Sequence, residues 1–206
     1  MRTPLPRLHA ITDERIARRE DLDSIASALA EGGGSDLAFH ARGRGMSGLE
    51  HYELAIRLSD RQSARLFVND RLDVALAVPA AGVQLGHGSL AVSAARALQP
   101  RWWIGKSVQD LPEAETARTE GADYLVVGPV FATPSHPGRP PLGIARLKAI
   151  VGAMGELPVI AIGGISTDRV REVRRTGAHG IAAIRAFWDE VDAGAAVRQM
   201  RKELVE

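Results

Sequence analysis

The sequence predicts a single (β/α)₈ TIM barrel, and three observations lead to that fold class. Eight short runs of apolar residues alternate with longer segments that carry helical patterning. Most of these runs are apolar at consecutive positions, as is typical of parallel strands covered on both faces. The chain has 206 residues, so eight strand–helix units leave little room for a further domain. We therefore expect one barrel domain over residues 1–206.

The strands are predicted from the apolar runs. In chain order they are Leu8–Thr12, Leu37–Ala41, Leu66–Asn69, Gly82–Leu85, Trp102–Ser107, Tyr124–Val130, Val159–Gly163 and Gly180–Ile184. An open doubly wound sheet is the alternative arrangement of the same alternation. The first strand, where a dinucleotide-binding sheet carries its Gly-x-Gly-x-x-Gly motif, is not followed by one, which argues against that version of the sheet.

The segments between the strands carry helix start and stop signals. The segment after Asp21 places apolar residues at helical spacing and ends in three glycines. The segment after Asp110 has an acidic first turn, which suits the helix dipole. Ser166 or Thr167 is the expected N-cap of the helix that Gly177 ends.

Composition excludes several classes of function. The net charge is +1, which gives no electrostatic argument for binding nucleic acid or an anionic membrane. The chain has no cysteine, so disulfides and thiolate chemistry are excluded. No stretch approaches ~18 apolar residues, and the first residues lack the apolar region of a signal peptide. We expect a cytoplasmic enzyme or binding protein with a small-molecule ligand, and homo-oligomerisation is left open.

In a barrel of this kind the active site lies at the carboxyl ends of the strands. His40, Arg42 and Arg44 follow the second strand at alternate positions, which places them on one side of an extended chain. Two guanidinium groups on the same side can bind a phosphate, and solvated loop arginines are the alternative. Lys106 and Ser107 end the fifth strand, where a solvated lysine is the simpler interpretation.

Carboxylates follow the third strand. Asn69, Asp70 and Asp73 lie there, and the two carboxylates either hold Mg²⁺ or cap the next helix. We favour the cap. After the fourth strand, Ser89 is the expected N-cap of the following helix.

A stiff loop and two glycines follow the sixth and seventh strands. The loop between Val130 and Gly143 is rich in proline and presents Thr133, Ser135 and His136 as hydrogen-bond donors. We interpret it as the wall of a pocket, with a rigid surface loop as the alternative. A phosphate site is expected where the last two strands end, and its candidate residues are Gly163, Gly164, Ile184 and Arg185.

These motifs, in this order and spacing, resemble the thiamin phosphate synthase/TenI superfamily. The matching stretches are "LHAITD", "HARGR", "VNDRLDVALAVPAAGVQLG", "IGKSVQDLPEA", "GADYLVVGPVFATPSHPGRPPLG", "PVIAIGGIS" and "GAHGIAAI". The resemblance implies a thiazole phosphate site over the glycine pair and the loop after the eighth strand. It also implies that the loop after the sixth strand encloses the ligand.

Two branches of the superfamily differ at a few positions. The synthases join a pyrimidine diphosphate to a thiazole phosphate. They typically show Gln-x-Arg-x-Lys where this chain has His40-x-Arg42-x-Arg44, and a lysine where it has His136. They hold Mg²⁺ with aspartates at the positions of Asp70 and Ser89. The missing carboxylate leads us to expect that Asp70 holds Mg²⁺ weakly, if at all.

His-x-Arg-x-Arg resembles the other branch, the TenI-type thiazole tautomerases, which need no metal or other cofactor. Some of these carry a histidine acid/base where this chain has Pro129. We expect His40 to carry the proton, with Arg42 and Arg44 lowering its pKa, and His136 is the rival. The main expectation is a tautomerase acting on a thiazole phosphate. A thiamin phosphate synthase and a non-catalytic regulatory ligand-binding barrel are the alternatives.

Overall fold

The eight predicted strands form a closed parallel barrel in chain order, which confirms the predicted fold class. The computed structural model describes residues 3–61, 63–135, 138 and 140–205. Each strand pairs with the next one along the chain, and β8 closes the barrel against β1. Within the described residues, the strands are β1 (Leu8–Ile11), β2 (Leu37–Ala41), β3 (Arg65–Asn69), β4 (Gly82–Leu85), β5 (Trp103–Val108), β6 (Tyr124–Val127), β7 (Val159–Ile162) and β8 (Gly180–Ala183).

Helices follow the strands and cover the outside of the barrel. In the same part of the chain they are α1 (Glu14–Ala17), α2 (Leu22–Gly33), α3 (Gly48–Ser59), α4 (Leu72–Ala77), α5 (Val92–Leu98), α6 (Leu111–Thr119), α7 (Ile144–Met154), α8 (Val170–Arg174), α9 (Arg185–Trp188) and α10 (Ala193–Val205). Two 3₁₀ turns cover Gly34–Asp36 and Thr167–Arg169. None of the helices described is both long enough and apolar enough to cross a membrane.

Polar side chains cap the N-termini of α3 and α6. Ser47 and Glu50 form a capping box at the start of α3, and the Asp110 carboxylate accepts from the backbone N–H of Glu113 at the start of α6. The last helix packs closely on α2, where a Cβ added to Gly32 would lie 2.4 Å from Val197 Cγ1. A larger residue at Gly32 would therefore separate α2 from α10.

The core has two layers because successive strand residues point to opposite faces. Phe67 points into the barrel and packs with Tyr124 and Ile160, whereas Val68 packs outward under the helices. The sixth strand ends at Val127, three residues earlier than predicted. Proline has no N–H to donate to a strand ladder, and Pro129 interrupts the pairing at this point.

Candidate active site at the barrel mouth

We call the carboxyl ends of the strands and the loops after them the barrel mouth. On the side of β2, Arg42 is half-buried and its backbone N–H donates to Thr12 Oγ1 at 2.9 Å. Burial lowers the pKa of Arg42 first, and repulsion by the nearby Arg44 lowers it further. The guanidinium of Arg42 makes no hydrogen bond within the part of the chain that the structure describes. Such a group is available to an anionic ligand, as the spacing predicts.

The carboxylate of Asp70 bridges two loops and caps no helix. Its Oδ1 accepts the backbone N–H of Gly86 at 2.8 Å and the hydroxyl of Ser89. The predicted caps are therefore wrong, since α4 starts after Arg71 without a side-chain cap and α5 starts after Ala91. The physical reason is that Asp70 adopts a left-handed φ of 62°, whereas an N-cap typically has β-region dihedrals.

Asp73 turns away into an ion pair. Its hydrogen bonds with Arg71 lower the pKa of Asp73 to about 2. Among the described residues, no group of three or more histidine, aspartate or glutamate side chains is placed to hold a metal ion. Asp70 and the hydroxyl of Ser89 thus offer Mg²⁺ one carboxylate. That donor set suits Mg²⁺ only when the phosphates of a substrate complete the coordination.

Lys106 lies next to Asp70, Gly86 and Ser89. It is half-buried, and its Nζ donates to the backbone oxygen of Gly86 at 2.9 Å, so it is not a free solvated lysine. Ser107 lies beside it and its Oγ accepts from Gln84 Nε2 at 3.0 Å. We call Arg42, Arg44, Asp70, Ser89 and Lys106 the charged half of the mouth.

His40 lies inside the barrel and is 0% exposed. Its Nδ1 is 3.0 Å from Asn69 Oδ1, and its Nε2 is 2.8 Å from Nδ1 of His9. Burial lowers the pKa of His40 to about 4. The arginines are not the cause, contrary to the expectation. A weak base with both nitrogens engaged fits a hydrogen-bonded packing residue better than the proton carrier that we expected.

Sequence reasoning missed His9, although a signal was present. It is a polar residue in the middle of the apolar run "LHAI", and it is also 0% exposed. The register pairs Ile11 with His40, so His9 and His40 are diagonal neighbours on the inner face.

Gly163 and Gly164 adopt left-handed φ angles of 100° and 63° beside the loop after β6. A Cβ at Gly163 would lie 2.6 Å from Pro129 Cα, and one at Gly164 would lie 2.5 Å from the oxygen of Ala132. Only glycine lets the two backbones come this close. Phe131 N also donates to the oxygen of Gly163 at 3.0 Å, so the chain after Pro129 continues alongside the end of β7.

Arg169 was not singled out from the sequence, yet it contacts both loops. Its Nη1 donates to the oxygen of Gly164 at 2.8 Å, and its guanidinium carbon lies 4.5 Å from the ring centroid of Phe131. This cation–π contact and the hydrogen bond hold the glycine pair against the loop after β6.

The loop after β8 leads directly into α9, which begins at Arg185. Ile184 is the N-cap, and the side chain of Arg185 is exposed. Buried Phe187 and Trp188 anchor the short helix. We call Gly163, Gly164, Ile184 and Arg185 the glycine half of the mouth.

The loop after β6 begins and ends on the barrel rim. Leu142 N donates to the oxygen of Pro129 at 2.7 Å, and Gly143 N donates to that of Val130 at 2.9 Å. Thr133 is half-buried and Ser135 is exposed. His136 lies outside the described residues.

Known proteins resemble the chain over almost its whole length. The TMP-TENI family, described as thiamine monophosphate synthase, matches residues 8–187. The thiamine-phosphate synthase of Pyrococcus furiosus is 40% identical over 199 residues, which cover 95% of this chain and 93% of that protein. The thiamine-phosphate synthase of Methanoregula boonei is 42% identical over 200 residues, covering 96% and 92%.

The fold agrees with these relatives. The solved structure of a thiamine phosphate pyrophosphorylase from Pyrococcus furiosus has a TM-score of 0.82 and 36% identity, covering 96% of this chain and 95% of that one. The expected closer likeness to the TenI-type branch is not supported, because these relatives bear the name of the synthase. The chain therefore belongs to the thiamine monophosphate synthase family and is an enzyme of thiamine biosynthesis.

Proposed function

We propose that this enzyme is a thiamine-phosphate synthase, a transferase that joins a pyrimidine diphosphate to a thiazole phosphate. In that reaction a carbon–nitrogen bond forms between the two rings, and the carbon–oxygen bond to the diphosphate breaks. The relatives named above support this activity, which is the alternative and not the main expectation from the sequence.

The observation that carries the proposal is that the mouth offers anions two separate places. The charged half follows strands β2 to β5, and the glycine half follows β7 and β8. Because β3 and β7 lie four strands apart in a closed barrel of eight, Asp70 and Gly163 stand on opposite sides of the mouth. Two phosphorylated substrates need two such places, whereas a tautomerase binds a single phosphate group.

Each half suits a different anion. Arg42, Arg44 and Lys106 supply positive charge for a diphosphate, which leaves with more negative charge than it had in the substrate. Gly163 and Gly164 supply close backbone approach for the single phosphate of the thiazole.

Mg²⁺ would be held by Asp70 and Ser89 together with the substrate. When bound there, the ion would neutralise charge on the departing diphosphate. The protein's own part is to place Asp70 by two hydrogen bonds and to hold the rim of the charged half through Lys106. We expect Thr133 and Ser135, in the loop after β6, to contact the thiazole phosphate.

The test is to incubate the purified enzyme with pyrimidine diphosphate, thiazole phosphate and Mg²⁺ and to follow thiamine phosphate by chromatography. We expect product and diphosphate in equal amounts. Omission of either substrate is the control. Absence of product with both substrates present would contradict the proposal.

One observation favours the tautomerase as a second candidate, namely that the charged half has a serine at position 89 and one carboxylate at Asp70. A tautomerase needs no metal. Incubation with thiazole carboxylate phosphate alone, in a chelator, tests this candidate, and aromatisation of that compound would support it.

A further inference from the structure

Three side chains form a hydrogen-bonded column through the barrel interior. His9 Nε2 lies 3.0 Å from the backbone oxygen of Pro6, and His9 Nδ1 lies 2.8 Å from His40 Nε2. His40 Nδ1 in turn lies 3.0 Å from the amide of Asn69. Both histidines are 0% exposed and Asn69 is 6% exposed, so no water competes for these contacts along the two rings.

The lower end of the column fixes where the protons are. The oxygen of Pro6 can only accept, so His9 must carry a proton on Nε2. If His9 is neutral, its Nδ1 is a bare lone pair, and His40 must donate from Nε2. If His40 is neutral as well, its Nδ1 must accept, and Asn69 must donate. The three hydrogen bonds then all run in one direction, from Asn69 to Pro6.

The surroundings of the column favour the neutral rings. Phe67 and Tyr124 pack against them, with ring centroids 5.8 Å from that of His9, and no carboxylate among the described residues hydrogen-bonds to either imidazole. The titratable groups nearby are Tyr124 and His179, and neither supplies a negative charge at neutral pH. Burial lowers the pKa of both histidines, in agreement with this geometry.

We infer that the column fixes the amide of Asn69 with its nitrogen toward His40 and its oxygen toward the barrel mouth. The oxygen and nitrogen of an amide exchange places on a 180° rotation without changing its shape, so the hydrogen-bond partners decide the orientation. The atom of the amide that does not face His40 has no partner within the described residues. Asn69 is the last residue of β3, beside Asp70 in the charged half.

This orientation makes Asn69 an acceptor at the mouth. An amide oxygen binds an N–H or O–H group or a cation, and it repels a bare phosphate oxygen. This orientation suits Asn69 to recognise a donor on the substrate or a metal ion, and it does not suit a phosphate oxygen. His9 is a positioning residue that acts through His40. The proton arrangement stands without the proposed function, and only the identity of the bound partner rests on it.

The experiment is ¹⁵N NMR of the wild-type enzyme with labelled histidine at pH 7.5. We expect His9 and His40 to be neutral with the proton on Nε2. His51 is an internal reference, because its Nε2 lies 2.9 Å from the backbone oxygen of Ala41 and must therefore carry the proton. A proton on Nδ1 of His40, or a doubly protonated ring, would overturn the inference.

The variant Asn69→Asp gives a second test. An ionised carboxylate cannot donate, so we expect His40 to take up a proton on Nδ1 in this variant while His51 stays unchanged. If the protonation of His40 is the same in the wild type and in Asn69→Asp, then Asn69 already presents its oxygen to His40 and the inference fails. Neither spectrum depends on catalytic activity, so failure of the proposed synthase reaction would be seen separately.

Discussion

The two halves of the barrel mouth are built in different ways. The glycine half is backbone, held so closely by the loop after β6 that a Cβ at Gly164 would lie 2.5 Å from the oxygen of Ala132. The charged half is made of side chains, such as Arg42 and Ser89, that project from loops. A side chain can be exchanged there without moving the backbone. The backbone of the glycine half is therefore fixed by the fold, whereas the properties of the charged half depend on individual side chains.

The largest effect is expected from Gly164→Ala in the glycine half. The added methyl group meets backbone at 2.5 Å, and the left-handed φ of 63° adds strain of about 1–3 kcal/mol. We expect binding of thiazole phosphate, measured by calorimetry, to fall at least about a hundredfold, or ~3 kcal/mol. Gly155→Ala is the matched control, because Gly155 has a similar φ of 61° and open space around it. Equal affinities for thiazole phosphate in both variants would show that the glycine half does not depend on the close backbone approach at Gly164.

Asp70→Asn should change catalysis at the charged half without changing ligand binding at the glycine half. Loss of the carboxylate at the diphosphate should lower kcat by about 10²-fold, similar to the loss of one preorganised electrostatic group. The affinity for thiazole phosphate should stay the same, because the glycine half is untouched. Asp73→Asn removes an exposed carboxylate three residues away and should leave kcat unchanged. A matching fall in thiazole phosphate affinity for Asp70→Asn would show that the halves are not independent.

The column of His9, His40 and Asn69 should make the stability of the enzyme depend on pH in the acid range. Burial lowers the pKa of His40 from 6.5 to about 4, so the unfolded chain binds more protons between these values. The free energy of unfolding should thus fall as the pH drops from 6.5 toward 4, by about 3 kcal/mol from His40. His9, Tyr124 and His179 are the neighbouring titratable groups.

Urea denaturation at pH 7.5 and 4.5 measures this effect. His40→Gln keeps a donor and an acceptor in the column and removes the titrating ring, so its stability should depend less on pH. An equal pH dependence in His40→Gln and wild type would exclude His40 as the cause.

Arg169→Met should weaken the binding of thiazole phosphate, by a smaller factor than Gly164→Ala does. The substitution removes the hydrogen bond to the oxygen of Gly164 and the cation–π contact with Phe131, each about 1 kcal/mol or more. We expect KM for thiazole phosphate to rise about tenfold with kcat nearly unchanged. Arg175→Met removes an exposed arginine and is the control. A fall in kcat without a change in KM would assign Arg169 to the reaction itself.

An effect of the same size as that of Arg169→Met, on Mg²⁺ binding, is expected from Ser89→Asp. A second carboxylate beside Asp70 should tighten Mg²⁺ in the presence of diphosphate, because carboxylates are preferred ligands of this ion. We expect an increase of about tenfold in affinity by calorimetry, or ~1.4 kcal/mol. Ser135→Asp, on the other side of the mouth, is the control, and an equal gain there would indicate a nonspecific charge effect.

The fold was predictable because strand and helix signals alternate along the whole chain. The end of β6 was misplaced because Val130 is apolar and only the proline before it interrupts the ladder. The phosphate site expected at Gly163 and Gly164 stays a prediction, and their close approach to the loop after β6 was not predicted. In contrast, the caps assigned to Asp70 and Ser89 were wrong. Asp70 has a left-handed φ, which its residue type does not predict, and its carboxylate accepts from Ser89 instead of capping a helix.

Contacts between residues that lie far apart in the sequence could not be predicted in the same way. His9 and His40 lie 31 residues apart, and only the register of β1 and β2 brings them together. The role assigned to His40 was based on its place at the end of a strand and on the nearby Arg42 and Arg44, whereas the ring is buried and hydrogen-bonded to His9. Arg169 was overlooked because its position in a polar segment gives no sign that it reaches back to Gly164.

The central claim is that the two halves hold two anionic substrates for one condensation. A single-turnover experiment with excess enzyme, pyrimidine diphosphate, thiazole phosphate and Mg²⁺ tests it most directly, with thiamine phosphate and free diphosphate quantified in the same quench. The account predicts one diphosphate released for each thiamine phosphate formed, with neither produced when thiazole phosphate is omitted. Aromatisation of thiazole carboxylate phosphate by the same preparation, with no diphosphate released from the pyrimidine substrate, would contradict it.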